Sequence, residues 1–203
     1  QEFTDIPIIG HEFTYEKLAT APLDEPTYTR GVVGNQARLE RMQEEIADAT
    51  DATEQARRQA DYDLFAAHVQ DFDEIAPVPP SVTMSDRMTL YRGNREIQIL
   101  FLGRAHTGGD VAVYFPDDGV VFTGDMALNG PSFLGDGFVD EWPQTLENLK
   151  ALDFDVFVPG HGPPVTDLSR IDVVQDYYRD LWRETETKYR EGVSVEEASR
   201  TID

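Results

Sequence analysis

The sequence predicts a mixed α/β fold, a sheet with helices packed on it (α/β or α+β). Three observations predict it. Apolar runs of strand length are interleaved with helical stretches whose apolar residues fall three or four apart. A Pro116-Asp-Asp-Gly segment joins two of the strands as a hairpin turn. No internal repeat is visible in the 203 residues.

Taken in order, residues 5–11 (Asp-Ile-Pro-Ile-Ile-Gly-His) read as a short apolar strand, its Pro marking an edge or a strand start. Residues 20–35, rich in Pro, Thr and Gly, read as loop. From about Gln36 to Gln70 the pattern turns helical, with Leu39, Met42, Ile46, Ala49, Thr53 and Ala56 on one stripe. Leu64, Phe65 and Val69 form a second, stronger apolar face. Because the stretch from Asp48 to Thr53 is weakly apolar, the segment reads as two helices or one long helix standing partly off the core. It either covers a site or makes a dimer contact, or it is a solvated hairpin with no part in the chemistry.

Residues 71–82 form a connector, and strands follow. Arg95–Leu102 is a strand, Val111–Phe115 and Val120–Thr123 flank the hairpin turn, and Asp155–Val158 is a buried strand. Trp142–Leu152 is an amphipathic helix. Ile171–Arg190 is a longer one, carrying Ile171, Val174, Tyr178 and Leu181 on one stripe and stopped by Gly192. Ser194-Val-Glu-Glu197 is a capping box that opens a last helix. The organisation is thus one domain over 1–203, with a helical insertion at 36–70 and C-terminal helices at 169–203.

Composition narrows the functions. Hydrophobic residues at 40% and charged residues at 28% are globular values. With 39 acidic against 17 basic residues, the net charge is −22, and only Lys17, Lys150 and Lys188 are lysines. Such a surface has no electrostatic footprint for nucleic acid. No apolar run reaches the ~20 residues of a membrane span. The absence of cysteine excludes disulfides and thiolate metal sites, and the compartment, cytoplasmic or exported, stays open.

Two of the four histidines stand in glycine-rich turns beside strands. His106 lies in Gly103-Arg-Ala-His-Thr-Gly-Gly-Asp110, and His161 lies in Val158-Pro-Gly-His-Gly-Pro-Pro164. Asp125 ends a strand in Phe122-Thr-Gly-Asp-Met126. Taken singly, each is an ordinary turn. Together they set three ligand-type side chains at three strand ends, where a rigid sheet can aim them at one point. Imidazole and carboxylate without thiolate is the ligand set of hydrolytic zinc, and also of non-haem iron or manganese. His68, on the helical stripe near Leu64 and Phe65, reads as a partly buried packing residue, and His11 follows the first strand.

His-Thr-Gly-Gly-Asp (106–110), Val-Phe-Thr-Gly-Asp (121–125) and Val-Pro-Gly-His-Gly (158–162), in this order, resemble the metallo-β-lactamase superfamily. The resemblance is closest to the binuclear metallo-hydrolases with a Gly-Arg-x-His-Thr-x-Gly-Asp segment. It covers about residues 90–190, and Ile6–Leu18 aligns with the strand and helix start after the family's first motif. The implied fold is an αββα sandwich. The implied function is metal-dependent hydrolysis of an ester, thioester, lactone or β-lactam carbonyl in a small-molecule substrate, with two zinc ions in the complete site.

On this resemblance His106 is the third histidine of the first metal, Asp125 the carboxylate bridging both, and His161 the last histidine of the second. Asp110 and Thr107 would shape the loop behind His106, and Asn129 would reach the substrate. The family's first signature, His-x-His-x-Asp-His, is absent from these residues. The expectation is therefore a C-terminal portion of the domain, which begins without an initiator Met. As such it would hold metal weakly alone and expose apolar strand edges. Two other readings stay open. One is an iron-dependent redox member of the same fold. The other is a non-catalytic half-domain that forms a homodimer through residues 36–70 or is complemented by an N-terminal half.

Overall fold

The chain turns back on itself at Pro116–Asp118, a single 3-10 turn closed by Gly119 in the left-handed region at φ +62°. Around this hairpin the computed structural model, which describes residues 6–20, 26–72 and 77–202, builds a five-stranded sheet. Its strands are β3 (Arg87–Arg92), β4 (Arg95–Leu100), β5 (Ala112–Phe115), β6 (Val120–Gly124) and β7 (Val156–Pro159), hydrogen-bonded in that order. The first three junctions are antiparallel, and β6 pairs with β7 in parallel. A parallel pair needs a crossover, which helix α4 (Trp142–Lys150) supplies. Upstream, β1 (Ile9–His11) pairs in parallel with β2 (Val82–Met84), and α1 (Glu12–Thr20) follows β1 directly.

Alternation along β6 decides which face carries the core. Val121 and Thr123 are fully buried, whereas Phe122 between them is 44% exposed. The buried face packs with α4 and with α5 (Ser169–Arg190) around Trp142, Leu146, Leu149, Phe157, Ile171, Val174 and Tyr178. Gly192, at φ +73°, ends the chain's run beyond α5. The Ser194 hydroxyl then accepts from the Glu197 N–H at 3.2 Å to cap α6 (Val195–Thr201).

The chain divides into two compact units, Lys17–Val78 on one hand and Gln1–Glu16 with Pro79–Asp203 on the other. The first is a hairpin of α2 (Pro26–Asp48) and α3 (Ala52–Phe72). Its antiparallel course is marked by Gln43 donating to the Tyr62 hydroxyl at 2.8 Å and Arg58 donating to the Glu45 carbonyl at 2.8 Å. None of its described residues is buried.

Several sequence expectations are corrected. The loop expected over 20–35 is helical from Pro26 onward, while residues 21–25 lie outside the described ones. Proline suits a first helical turn, and the strong helix formers from Gln36 to Ile46 extend the helix backward through Gly31 and Gly34. Of the strand expected over 5–11, residue 5 lies outside the described residues, and among the rest only Ile9–His11 is strand, since Pro7 cannot donate to a ladder. Strands β2 and β3 fall where none was placed, and β3 turns into β4 through Gly93-Asn94, with Gly93 at φ +64°. On the helical hairpin, Leu64 is 76% exposed and His68 is exposed as well, so neither packs in a core there.

Between α4 and α5 sits a polar clamp. The Lys150 ammonium donates to Asp172 at 2.8 Å and to the Gln175 side chain at 2.9 Å, and it pairs with Glu147 at 2.9 Å. Lys150 beside it lowers the Glu147 carboxyl below its ordinary value of 4.5. A lowered carboxylate stabilises the fold above that value and loses the contribution as pH falls through the folded one. Lys150→Gln is therefore expected to flatten the acid side of a stability–pH profile below about pH 4.5, with little change at neutrality, as followed by thermal melts. In the core, Trp142→Phe is expected to cost about 2–4 kcal/mol in urea unfolding, since it removes both ring volume and a buried hydrogen bond.

Candidate metal centre

The loop from Gly103 to Asp110 leaves β4 and is gripped by α4. Asn148 donates to the Leu102 carbonyl at 2.8 Å, and the Thr145 hydroxyl donates to the Arg104 carbonyl at 2.6 Å. Gly103 stands at φ +129°, with the Thr145 hydroxyl where a Cβ would go. The Ala105 carbonyl takes the Phe138 N–H at 2.8 Å, and the Arg104 guanidinium lies 4.3 Å over the Phe138 ring while pairing with Glu141. Gly108 and Gly109 leave room for Phe13 and Thr14, at the start of α1, to press on the same loop. Inside it, the Asp110 carboxylate accepts the Thr107 N–H at 2.9 Å and the Thr107 hydroxyl at 2.5 Å. Burial pushes the Asp110 carboxyl up, and the two Thr107 hydrogen bonds oppose that shift.

Asp125 is aimed by an irregularity at the end of β6. The register with β7 shifts between Phe122 and Gly124, and Gly124 takes φ +53°. Its carbonyl accepts the Gly160 N–H at 2.8 Å, and Gly160 comes so close that a Cβ would overlap the Asp125 carboxylate. On the other side of Asp125, the Trp142 indole donates to the Met126 carbonyl at 2.8 Å and the Thr123 hydroxyl donates to the Ala127 carbonyl at 2.9 Å. The carboxylate is thus held by its neighbours' backbone rather than by packing of its own.

Both expected histidines meet it. His106 Nε2 lies 3.9 Å from Asp125 Oδ2, and His161 Nε2 lies 3.4 Å from the same oxygen. His106 is half-buried, with its ring 6.2 Å from that of Trp142 in an edge arrangement, whereas the His161 side chain is 79% exposed. These spacings exceed a good hydrogen bond. Two ligands about 2.1 Å from one tetrahedral centre stand about 3.4 Å apart, so the His161–Asp125 spacing fits a shared zinc in length as in donor type. His106 and Asp125 stand wider. Among the described residues no group of three or more His, Cys, Asp or Glu side chains is gathered to hold one ion. The arrangement is two His–Asp pairs sharing a carboxylate oxygen.

The remaining candidates lie elsewhere. His11 caps α1: its Nδ1 accepts the Phe13 N–H at 3.1 Å, its Nε2 meets the Ser85 carbonyl at 3.1 Å, and its ring stacks on Phe101. The Asn129 carboxamide oxygen accepts from Arg170 at 2.8 Å, which leaves its amide nitrogen for any other partner. The supporting roles of Trp142, Arg104 and Phe13 were not read from the sequence. Trp142 showed only as the first residue of a helical stripe, a signal that packing alone would produce.

Fold and site together define a class. A family model of the metallo-β-lactamase superfamily matches residues 31–161, and the chain belongs to that superfamily. Its members are hydrolases that bind metal ions, zinc in the β-lactamases. Among individual proteins, the chain is 29% identical over 111 residues to the 2,4-dinitroanisole O-demethylase subunit alpha of Nocardioides sp. (strain JS1661), covering 53% of this chain and 32% of that one. It is 32% identical over 72 residues to the type 2 metallo-β-lactamase of Elizabethkingia meningoseptica, covering 34% and 29%. Of solved structures, the inverting sec-alkylsulfatase Pisa1 from Pseudomonas sp. superposes with a TM-score of 0.55 at 18% identity, over 62% of this chain and 22% of that one, a likeness of fold. The chain spans about a third of the length of the curated relatives it matches. Among the described residues no helix is long and apolar enough to cross a membrane.

If Asp110 fixes the His106 loop through Thr107, Asp110→Ala is expected to weaken zinc binding about 10–100-fold while the far-ultraviolet circular dichroism stays unchanged. Titration calorimetry with zinc on the variant and the parent checks it.

Proposed function

We propose that this chain carries part of the metal centre of a metal-dependent hydrolase, with His106, Asp125 and His161 as ligands. The observation that carries the reading is the approach of two imidazoles, from separate loops, to one oxygen of Asp125. Neutral imidazole and carboxylate are donors suited to zinc, and iron or manganese take the same set. Bound there, such a metal supplies Lewis acidity, which makes water a nucleophile near neutral pH and polarises a carbonyl.

The chain's own residues do the positioning. Gly124 and Gly160 hold the Asp125 carboxylate with its Oδ2 toward both histidines, and the Thr107–Asp110 pair orients the loop that presents His106. The exposed His161 stands on the open side, where a small-molecule substrate would enter. An ester, thioester, lactone or β-lactam carbonyl is the substrate class in this reading. The acidic surface, at −22, disfavours a nucleic-acid phosphodiester.

Metal affinity tests the ligand assignment independently of turnover. With zinc or cobalt(II), Asp125→Asn is expected to lose binding at both histidines, and His161→Ala to lose one pair. Cobalt absorption spectra report the ligand number. A chain whose metal binding ignores all three substitutions, His106→Ala included, would overturn the reading.

A further inference from the structure

His11 stands where three segments meet. β1 ends on it, in register with Met84 of β2, and α1 begins at the next residue. Its Nδ1 accepts the Phe13 N–H at 3.1 Å, and its Nε2 stands 3.1 Å from the Ser85 carbonyl. Neutral imidazole carries one ring proton, and these two partners leave one place for it. A backbone N–H meets Nδ1, so that nitrogen keeps its lone pair. A carbonyl meets Nε2, so that nitrogen carries the hydrogen. The ring stacks on Phe101 at 3.9 Å, and the Phe101 N–H is held in turn by the Asp86 carbonyl at 2.8 Å. With both nitrogens engaged, His11 has no lone pair left for a metal.

What the ring does instead is aim α1. An acceptor just before a helix, bonded to the N–H two positions on, is an N-cap, and it fixes how the first turn leaves the strand. That turn carries Phe13 and Thr14. The Phe13 ring fills the space that a Cβ on the buried Gly108 would need, and Thr14 fills the same space at Gly109. Phe13 also meets the Phe138 ring edge-on at 6.2 Å, and the Phe138 N–H donates to the Ala105 carbonyl at 2.8 Å. His106 thus lies between two points that Phe13 controls, Gly108 directly and Ala105 through Phe138. We propose that His11 is a positioning residue for the metal centre, acting through the α1 cap and the Phe13 ring on the loop that presents His106. The inference rests on His106 being a ligand. A loop held against an aromatic ring has fewer conformations to lose when its histidine binds, so removing the cap lowers affinity without removing a ligand.

Two readouts on the whole chain test this. Ring-nitrogen NMR at mildly alkaline pH should find His11 protonated at Nε2 and bare at Nδ1, and the other tautomer overturns the inference. His11→Ala should shift the backbone amide resonances of Gly108 and Gly109. His11→Asn, whose carboxamide oxygen can accept the Phe13 N–H, should leave them at the parent positions. Phe13→Leu keeps the cap and should move the same amides, which carries the test if His11→Ala does not fold. Zinc titration calorimetry reads the consequence: about a tenfold loss for His11→Ala, and a return to within about threefold of the parent for His11→Asn. Amides unmoved by both His11→Ala and Phe13→Leu would overturn the inference, and so would His11→Asn binding zinc as weakly as His11→Ala. His106→Ala separates the two readings. Zinc binding that survives it, or that the parent lacks, overturns the ligand assignment and with it this role. Loss in His106→Ala beside no loss in His11→Ala overturns the role of His11 alone.

Discussion

The Trp142 indole is the contact on which the site depends. It is fully buried at the start of α4, and its N–H donates to the Met126 carbonyl, one residue past Asp125. One ring face stacks on Tyr178 of α5 at 4.4 Å, and His106 meets the ring edge-on. Tyr178 in turn accepts the Ser132 N–H at 2.9 Å, which ties down the chain that follows Asp125. One side chain therefore links both covering helices to the two loops that carry His106 and Asp125. An aromatic ring with a single polar atom is well suited to such a junction, because its area fills the core while its N–H orients one backbone carbonyl.

Around that anchor the geometry is set by backbone more than by side-chain packing. Asp125 stands where β6 loses register with β7, so its direction follows from Gly124 and from the close approach of Gly160. His106 is placed by carbonyls that α4 catches through Thr145 and Asn148. His161 has no such support and is largely exposed, one residue past the hydrogen bond from Gly160 to Gly124. The centre thus has a rigid half at His106 and Asp125 and an open half at His161.

What the sequence made legible follows the same division. His106, Asp125 and His161 could be picked out because glycines flank each of them at a strand end, and the turns those glycines permit are local. The β5–β6 hairpin, α4, β7 and α5 were legible for the same reason, as periodicity and turn chemistry are local signals. Strand β3 was missed because Arg87–Arg92 carries little alternation and its only marker is the Gly93-Asn94 turn. The start of α2 was missed because Gly31 and Gly34 look like breakers, whereas propagation from a strong helical segment overrides them. Exposure was the least legible property. Leu64 and His68 have the spacing of a core stripe, and only the fold shows that Phe65 and Val69 are half-buried beside α2 while Leu64 and His68 stay exposed.

The two units differ in how they use apolar spacing. In the sheet unit, apolar periodicity and burial agree: Leu146 and Leu149 of α4, and Ile171, Val174 and Tyr178 of α5, are all buried. In the helical hairpin they agree only in part, since Leu39, Met42, Ile46 and Ala49 of α2 and Phe65 and Val69 of α3 are half-buried while Leu64 remains in water. A sequence keeps an apolar residue such as Leu64 at the surface at a cost in solubility, unless that surface is covered in the assembled protein.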